Sequence, residues 1–159
     1  MKKHGFTLPE LVIVLGVLVV LFSLSSVNLI NFYHKNSLGV SVNSIVSDIK
    51  QQQIKAMVGD TEGRAPNNAY GIYFQSDNYT LFQGTAYSPS DSYNFTINLE
   101  DDIGFSNIMF PGQLLVFATS SGEVVGYTAN FDYVTVQNIR SGETKTIRFN
   151  KYGTITNIY

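Results

Sequence analysis

The sequence predicts an α+β protein in which a long N-terminal helix, transmembrane in its first half and amphipathic in its second, packs on an antiparallel β-sheet domain. Three observations predict it. Residues 11–22 carry no polar side chain. A single apolar stripe follows between Ser37 and Val58, and beyond Gly59 short runs of Tyr, Phe, Ile, Val and Thr alternate with turn residues. The chain has 159 residues, 44% of them hydrophobic and 14% charged. That is one domain with an appended segment, and too apolar for global disorder. A formal net charge of −2 argues against a protein built to neutralise phosphate. With no cysteine, disulfides, thiolate metal sites and Cys nucleophiles are excluded. His4 and His34 are too few for a histidine-based metal centre.

The apolar run continues, with serines, through Val27. As a helix, residues 11–27 reach about 26 Å and residues 6–30 about 37 Å, enough to cross a bilayer. Lys2, Lys3 and His4 form a basic head ahead of it. The positive-inside rule then expects a single-pass protein of the cytoplasmic (inner) membrane, with the N-terminus inside and the remainder outside. An ordinary signal peptide is the alternative, cut near Ser23-Leu24-Ser25.

Leu38, Val42, Ile45, Val46 and Ile49 recur at helical spacing, with Asn43, Ser47, Asp48, Lys50 and Gln51 elsewhere. No proline lies between Glu10 and Ala65, so both halves are expected as one rod of about 50 residues, near 75 Å. After Gly59, residues 60–68 read as a loop. Strands are expected at 70–75, 79–83, 93–99, 114–119, 124–128, 134–139, 144–150 and 154–158. Their inner face would bury the helix stripe.

Enzyme templates find little purchase. There is no G-x-S-x-G, Walker loop or H-E-x-x-H, and the β region has no histidine to serve a serine as base. No catalytic residue, cofactor or metal is assigned. Glu100-Asp101-Asp102 is the densest acidic cluster, and it reads as a solvated turn before a cation site or a carboxylate pair. Arg140, Lys145, Arg148 and Lys151 gather around Tyr133, Phe149 and Tyr152. Aromatics at alternate strand positions are more often core than a base-stacking surface, so nucleic acid is not an expected partner.

The specific signal is the junction Gly5-Phe6-Thr7-Leu8-Pro9-Glu10-Leu11. Glu10 stands one residue before the apolar run, where a carboxylate is disfavoured. Thr7-x-x-Glu10 is also a capping box, with Pro9 suited to a first helical turn. A cap, however, needs neither Gly5 nor Phe6. The junction resembles the type IV prepilin signal, in which a short basic leader ends in glycine and F-T-L-x-E-L precedes an apolar helix. Gly5, Phe6, Thr7, Leu8, Glu10 and Leu11 carry the match. Leu114-Leu115-Val116-Phe117 with Gly122, and residues 144–149 with Gly153-Thr154-Ile155, are similar to the closing strands of GspH/FimT-type minor pilins and pseudopilins.

The resemblance implies a pilin-like fold and a leader, residues 1–5, removed by prepilin peptidase between Gly5 and Phe6. The same enzyme would methylate the new Phe6 amine. Residues 6–30 would then be the transmembrane and filament-core helix, 31–58 its amphipathic continuation and 59–159 the exported β domain. Glu10 would pair with the Phe6 amine of a neighbour. Implied partners are that peptidase/methyltransferase, other pilin or pseudopilin subunits, an inner-membrane assembly platform and, before assembly, the lipid bilayer. The product would be a surface or periplasmic filament: a type IV pilus, a competence pilus or a type II secretion pseudopilus. Losing Lys2 and Lys3 leaves 8 basic against 12 acidic residues. The chain lacks the C-terminal cysteine pair of many pilins, the calcium loop of major pseudopilins and the G-R-x-R element of DNA-binding relatives. Two rivals remain: a single-span anchored β-rich binding domain that does not polymerise, and an exported β protein released near Ser26.

Overall fold

The computed structural model describes residues 7–63 and 69–159, with side chains for all of these except 24–36. One helix, α1 (Leu8–Val58), precedes eight strands: β1 (Tyr70–Phe74), β2 (Asn78–Gln83), β3 (Phe95–Asn98), β4 (Ile103–Ile108), β5 (Leu114–Phe117), β6 (Tyr133–Asn138), β7 (Thr144–Phe149) and β8 (Ile155–Ile158). Thr7 caps the helix, and Pro9 lies in its first turn, where a missing N–H costs nothing. Gly59 ends it in the left-handed conformation at φ 66°, from which Asp60 N–H reaches the Lys55 carbonyl at 3.0 Å.

The strands form two antiparallel sheets, β3-β2-β1-β5 and β4-β6-β7-β8. The helix lies against both, touching β1 and β5 of the first and β4, β6 and β7 of the second. Leu38, Val42, Ile45 and Ile49 are buried to within 2% and join side chains of both sheets in one core. Their spacing of four, three and four explains why the helix fits: one stripe faces the sheets while Asn43, Ser47 and Lys50 stay exposed. Phe74 of β1 stacks on Phe110 and meets Phe105 of β4 edge-on, and Phe110 touches Phe149 of β7. Aromatic contacts thus bridge the sheets. At the far end of the helix, Gln53 Nε2 donates to the Gly122 and Tyr152 carbonyls at 3.0 and 2.8 Å, tying α1 to two turns.

The fold class expected from the sequence is corrected. The described apolar stretch of the helix, residues 8–23, is only about 16 residues. Among the described residues no helix is long and apolar enough to cross a membrane. The expected transmembrane half is therefore set aside, and with it the single-pass placement in the cytoplasmic membrane. The helix also meets two sheets, where one was expected.

Strand positions need two further corrections. Residues 124–128 are not a strand: Val124 makes one isolated bridge to Phe117, and Gly126 then turns the backbone. Conversely β4 was not among the expected strands; its Gly104, Ser106 and Asn107 are residue types common in turns. Gly104 is there because a side chain would come within 3.0 Å of the Ser76 carbonyl oxygen, which accepts from Phe105 N–H at 2.8 Å. The Ser106-Asn107 step is a bulge in the pairing with β6. The expected loop at 60–68 lies partly outside the described residues.

Candidate functional site

At the start of α1 the chain places a carboxylate beside a wholly apolar surface. The Thr7 backbone N–H donates to Glu10 Oε2 at 3.3 Å, and the Thr7 hydroxyl donates to the same oxygen at 3.2 Å. Leu11 N–H closes the first turn on the Thr7 carbonyl at 3.1 Å. This is the capping box read from Thr7-x-x-Glu10, and it satisfies donors that a helix start leaves open. Glu10 is exposed, so its other carboxylate oxygen remains open to solvent or to a second molecule. Thr7, Leu8, Glu10 and Leu11 thus stand together on the first turn. Gly5 and Phe6, the expected cleavage and methylation pair, lie outside the described residues.

Beyond Glu10 the helix is apolar on every side. Leu8 and all the large apolar side chains from Leu11 to Phe22 are between 42% and 79% exposed. A helix apolar all round belongs inside something, because a helix resting on its own domain needs only one such face. The exposed apolar surface here is far from the scattered single side chains of an ordinary protein surface. Ser23 ends the described stretch and returns its hydroxyl to the Val20 carbonyl at 2.8 Å.

The other expected clusters are separated by the fold. The acidic run divides: Glu100 accepts from the Ser37 hydroxyl of α1, and Asp102 accepts from Arg140 Nε at 2.6 Å. Among the described residues no three acidic or histidine side chains converge on a cation position. Of the basic residues near the C-terminus, Arg140, Arg148 and Lys151 are each engaged separately. Arg148 lies 5.0 Å over the Tyr133 ring and 3.6 Å from Asp132, and Lys151 lies over Tyr152 at 4.7 Å. Phe149 is core.

One site was invisible in the sequence: a half-open cleft between α1 and the β2–β3 side of the first sheet, with a volume of about 310 Å³. Asp48, Gln52 and Lys55 reach it from the helix, Tyr70 and Gln83 from β1 and β2, and Phe95 from β3. Tyr79 O–H donates to Asp48 Oδ2 at 2.5 Å, joining helix to sheet at one end. Burial first, and then the hydrogen bond and charge of Asp48, push the Tyr79 hydroxyl far above its ordinary pKa. Lys55 pairs with Glu62 and lies 5.7 Å over the Tyr70 ring. No protein-family model, curated protein or solved structure matches this chain.

Proposed function

We propose that this chain is a structural subunit of a pilin-type filament, processed between Gly5 and Phe6 and assembled through its N-terminal helix. The filament would be a type IV pilus, a competence pilus or a type II secretion pseudopilus, and the subunit's task is structural. One observation carries the reading: residues 11–22 form an exposed helix that is apolar on all faces, headed by a single carboxylate at Glu10. The junction Gly5-Phe6-Thr7-Leu8-Pro9-Glu10-Leu11, which resembles a prepilin signal, supports it.

The energetics favour a partner made of like helices. Those side chains are about half exposed, so burying the rest yields on the order of 10 kcal/mol gross per subunit. Association itself costs about 4–15 kcal/mol, so apolar contact alone leaves little margin. Apolar contact also sets no axial register, since one Leu or Val against another is worth much the same a turn away. A charge pair does set one. Cleavage after Gly5 creates an amine on Phe6, four residues before Glu10, and Glu10 of one subunit meets the Phe6 amine of the next. Paired inside an apolar core the two charges largely cancel, whereas either one alone is strongly unfavourable.

Intact-mass measurement on protein from cells with active prepilin peptidase tests the processing step. The expected mass is that of a chain beginning at Phe6 with one added methyl group. A mass retaining residues 1–5, or one beginning near Ser26, contradicts the reading.

A further inference from the structure

Each sheet has two outer strands, and the chain covers only one outer edge of each. Val125 N–H donates to the Val116 carbonyl of β5 at 2.8 Å, and Val124 bridges Phe117. The edge of β4 gives Phe105 N–H to Ser76 and then breaks into its bulge. Among the described residues no backbone group bonds to the outer edge of β3 or of β8. Antiparallel alternation identifies the groups left over. Leu99 N–H reaches the Asp77 carbonyl at 2.9 Å, so bonded pairs recur at Ile97–Tyr79 and Phe95–Leu81. Thr96 and Asn98 therefore turn their N–H and C=O outward. Tyr159 and Thr146 exchange both backbone bonds, at 3.3 and 2.8 Å, so the neighbouring Ile158 also turns its pair outward. Neither strand carries the proline or lysine that commonly blunts an open edge.

The two open edges lie on opposite flanks of α1. The helix meets the β3 side through Asp48, Gln52 and Lys55, and the β8 side through Lys50, Gln53 and Ile54. Their surroundings are complementary. Phe95 on β3 is 65% exposed and Tyr159, next after β8, is 63% exposed. Exposed Glu100 and Asp101 follow β3, whereas exposed Lys151 precedes β8. Joining β3 to β8 uses both open edges and leaves none between neighbours. Because the edges stand on opposite flanks, the contact is head-to-tail and repeats from copy to copy.

We propose that β3 of one copy of this chain pairs antiparallel with β8 of the next. The register that joins the outward groups sets Thr96 against Ile158 and Phe95 against Tyr159, a cross-strand aromatic pair. It also brings Glu100 and Asp101 toward Lys151. A parallel pairing would instead put Ile158 and Tyr159 at the acidic end. Four residues on each strand are too few to hold two free domains together. The pairing thus rests on the filament reading, in which the helices hold successive β domains at high effective concentration.

The test is crosslinking of the full chain in cells with active prepilin peptidase. The chain has no cysteine, so introduced thiols report alone. One copy carries Asn98→Cys and another, differently tagged, Thr156→Cys, both at exposed positions. A short bis-maleimide joins them, and a Val17→Cys chain treated in parallel reports helix-to-helix assembly. The mixed dimer should form at ten times or more the yield of either single-site chain with itself. Adding Ile158→Pro to the Thr156→Cys chain removes one outward N–H and spares the bonds to β7, and should lower that yield at least fivefold. Val17 crosslinks without the mixed dimer would overturn the edge pairing and leave the filament reading standing. Absence of both crosslinks would overturn both. A Thr156→Cys dimer with itself at the mixed yield, or a mixed yield unchanged by Ile158→Pro, would also overturn the edge pairing.

Discussion

Glu10 and Tyr79 show how one side chain can serve two purposes that substitution separates. Glu10 caps its own helix through Thr7, a role that glutamine also fills because its side-chain oxygen accepts from the same N–H. The charge is what glutamine lacks, so Glu10→Gln removes the proposed intermolecular role and keeps the local one. Tyr79 is 1% exposed and gives its proton to Asp48. Burial and the Asp48 carboxylate raise its folded pKa, so the folded state favours the neutral phenol. The resulting stability is present in full below the ordinary phenol pKa of about 10 and is lost as pH rises above it. Thermal unfolding followed from pH 7 upward should therefore show wild-type Tm falling more steeply beyond about pH 10 than that of Tyr79→Phe. Parallel curves would show that the Asp48 contact does not govern the phenol. The cleft lined by Gln52 and Gln83 left no mark in the sequence, because a glutamine on a helix and one at a strand end come to one cavity only through the fold.

The two ends of α1 behave as different elements. From Leu38 to Ile49 the stripe was legible, since a period of 3.6 residues has no other economical reading, and those side chains are buried. The expectation that the first part would cross a membrane did not survive, because among the described residues no helix is long and apolar enough to do so. Ile49 and Ile54 let the difference between faces be measured on one helix. Ile49 is 1% exposed and Ile54 58%. Ile49→Ala should cost about 2–5 kcal/mol by leaving a cavity between the helix and the sheets. Ile54→Ala should stay within about 0.5 kcal/mol of wild type. Denaturant unfolding of the two variants checks this, and equal losses would mean that the stripe is misplaced. Among the strands, β4 was illegible for a physical reason: its glycine and its bulge serve a close approach to Ser76 and an irregular pairing, and both mimic a turn in sequence.

At the scale of the whole molecule, short-range patterning foretold most strands but not their division into two sheets. That division depends on contacts such as Phe74 with Phe105 and Phe110 with Phe149, between residues far apart in the chain. The architecture separates a domain with its own core from an apolar helix end that the core does not use. A fragment beginning at residue 31 should therefore be monomeric and unfold cooperatively, as size-exclusion chromatography and thermal melts would show. Aggregation of that fragment would place part of the core before residue 31. In the proposed function, subunits assemble through the N-terminal helix, with Glu10 as the charge that sets register. The most direct test is incorporation of Glu10→Gln into filaments, measured by crosslinking and pull-down against wild type, with leader processing scored in the same cells. Cleavage after Gly5 and helix capping should both be normal, with incorporation reduced at least tenfold. Incorporation at the wild-type level would leave Glu10 a capping residue and contradict the claim.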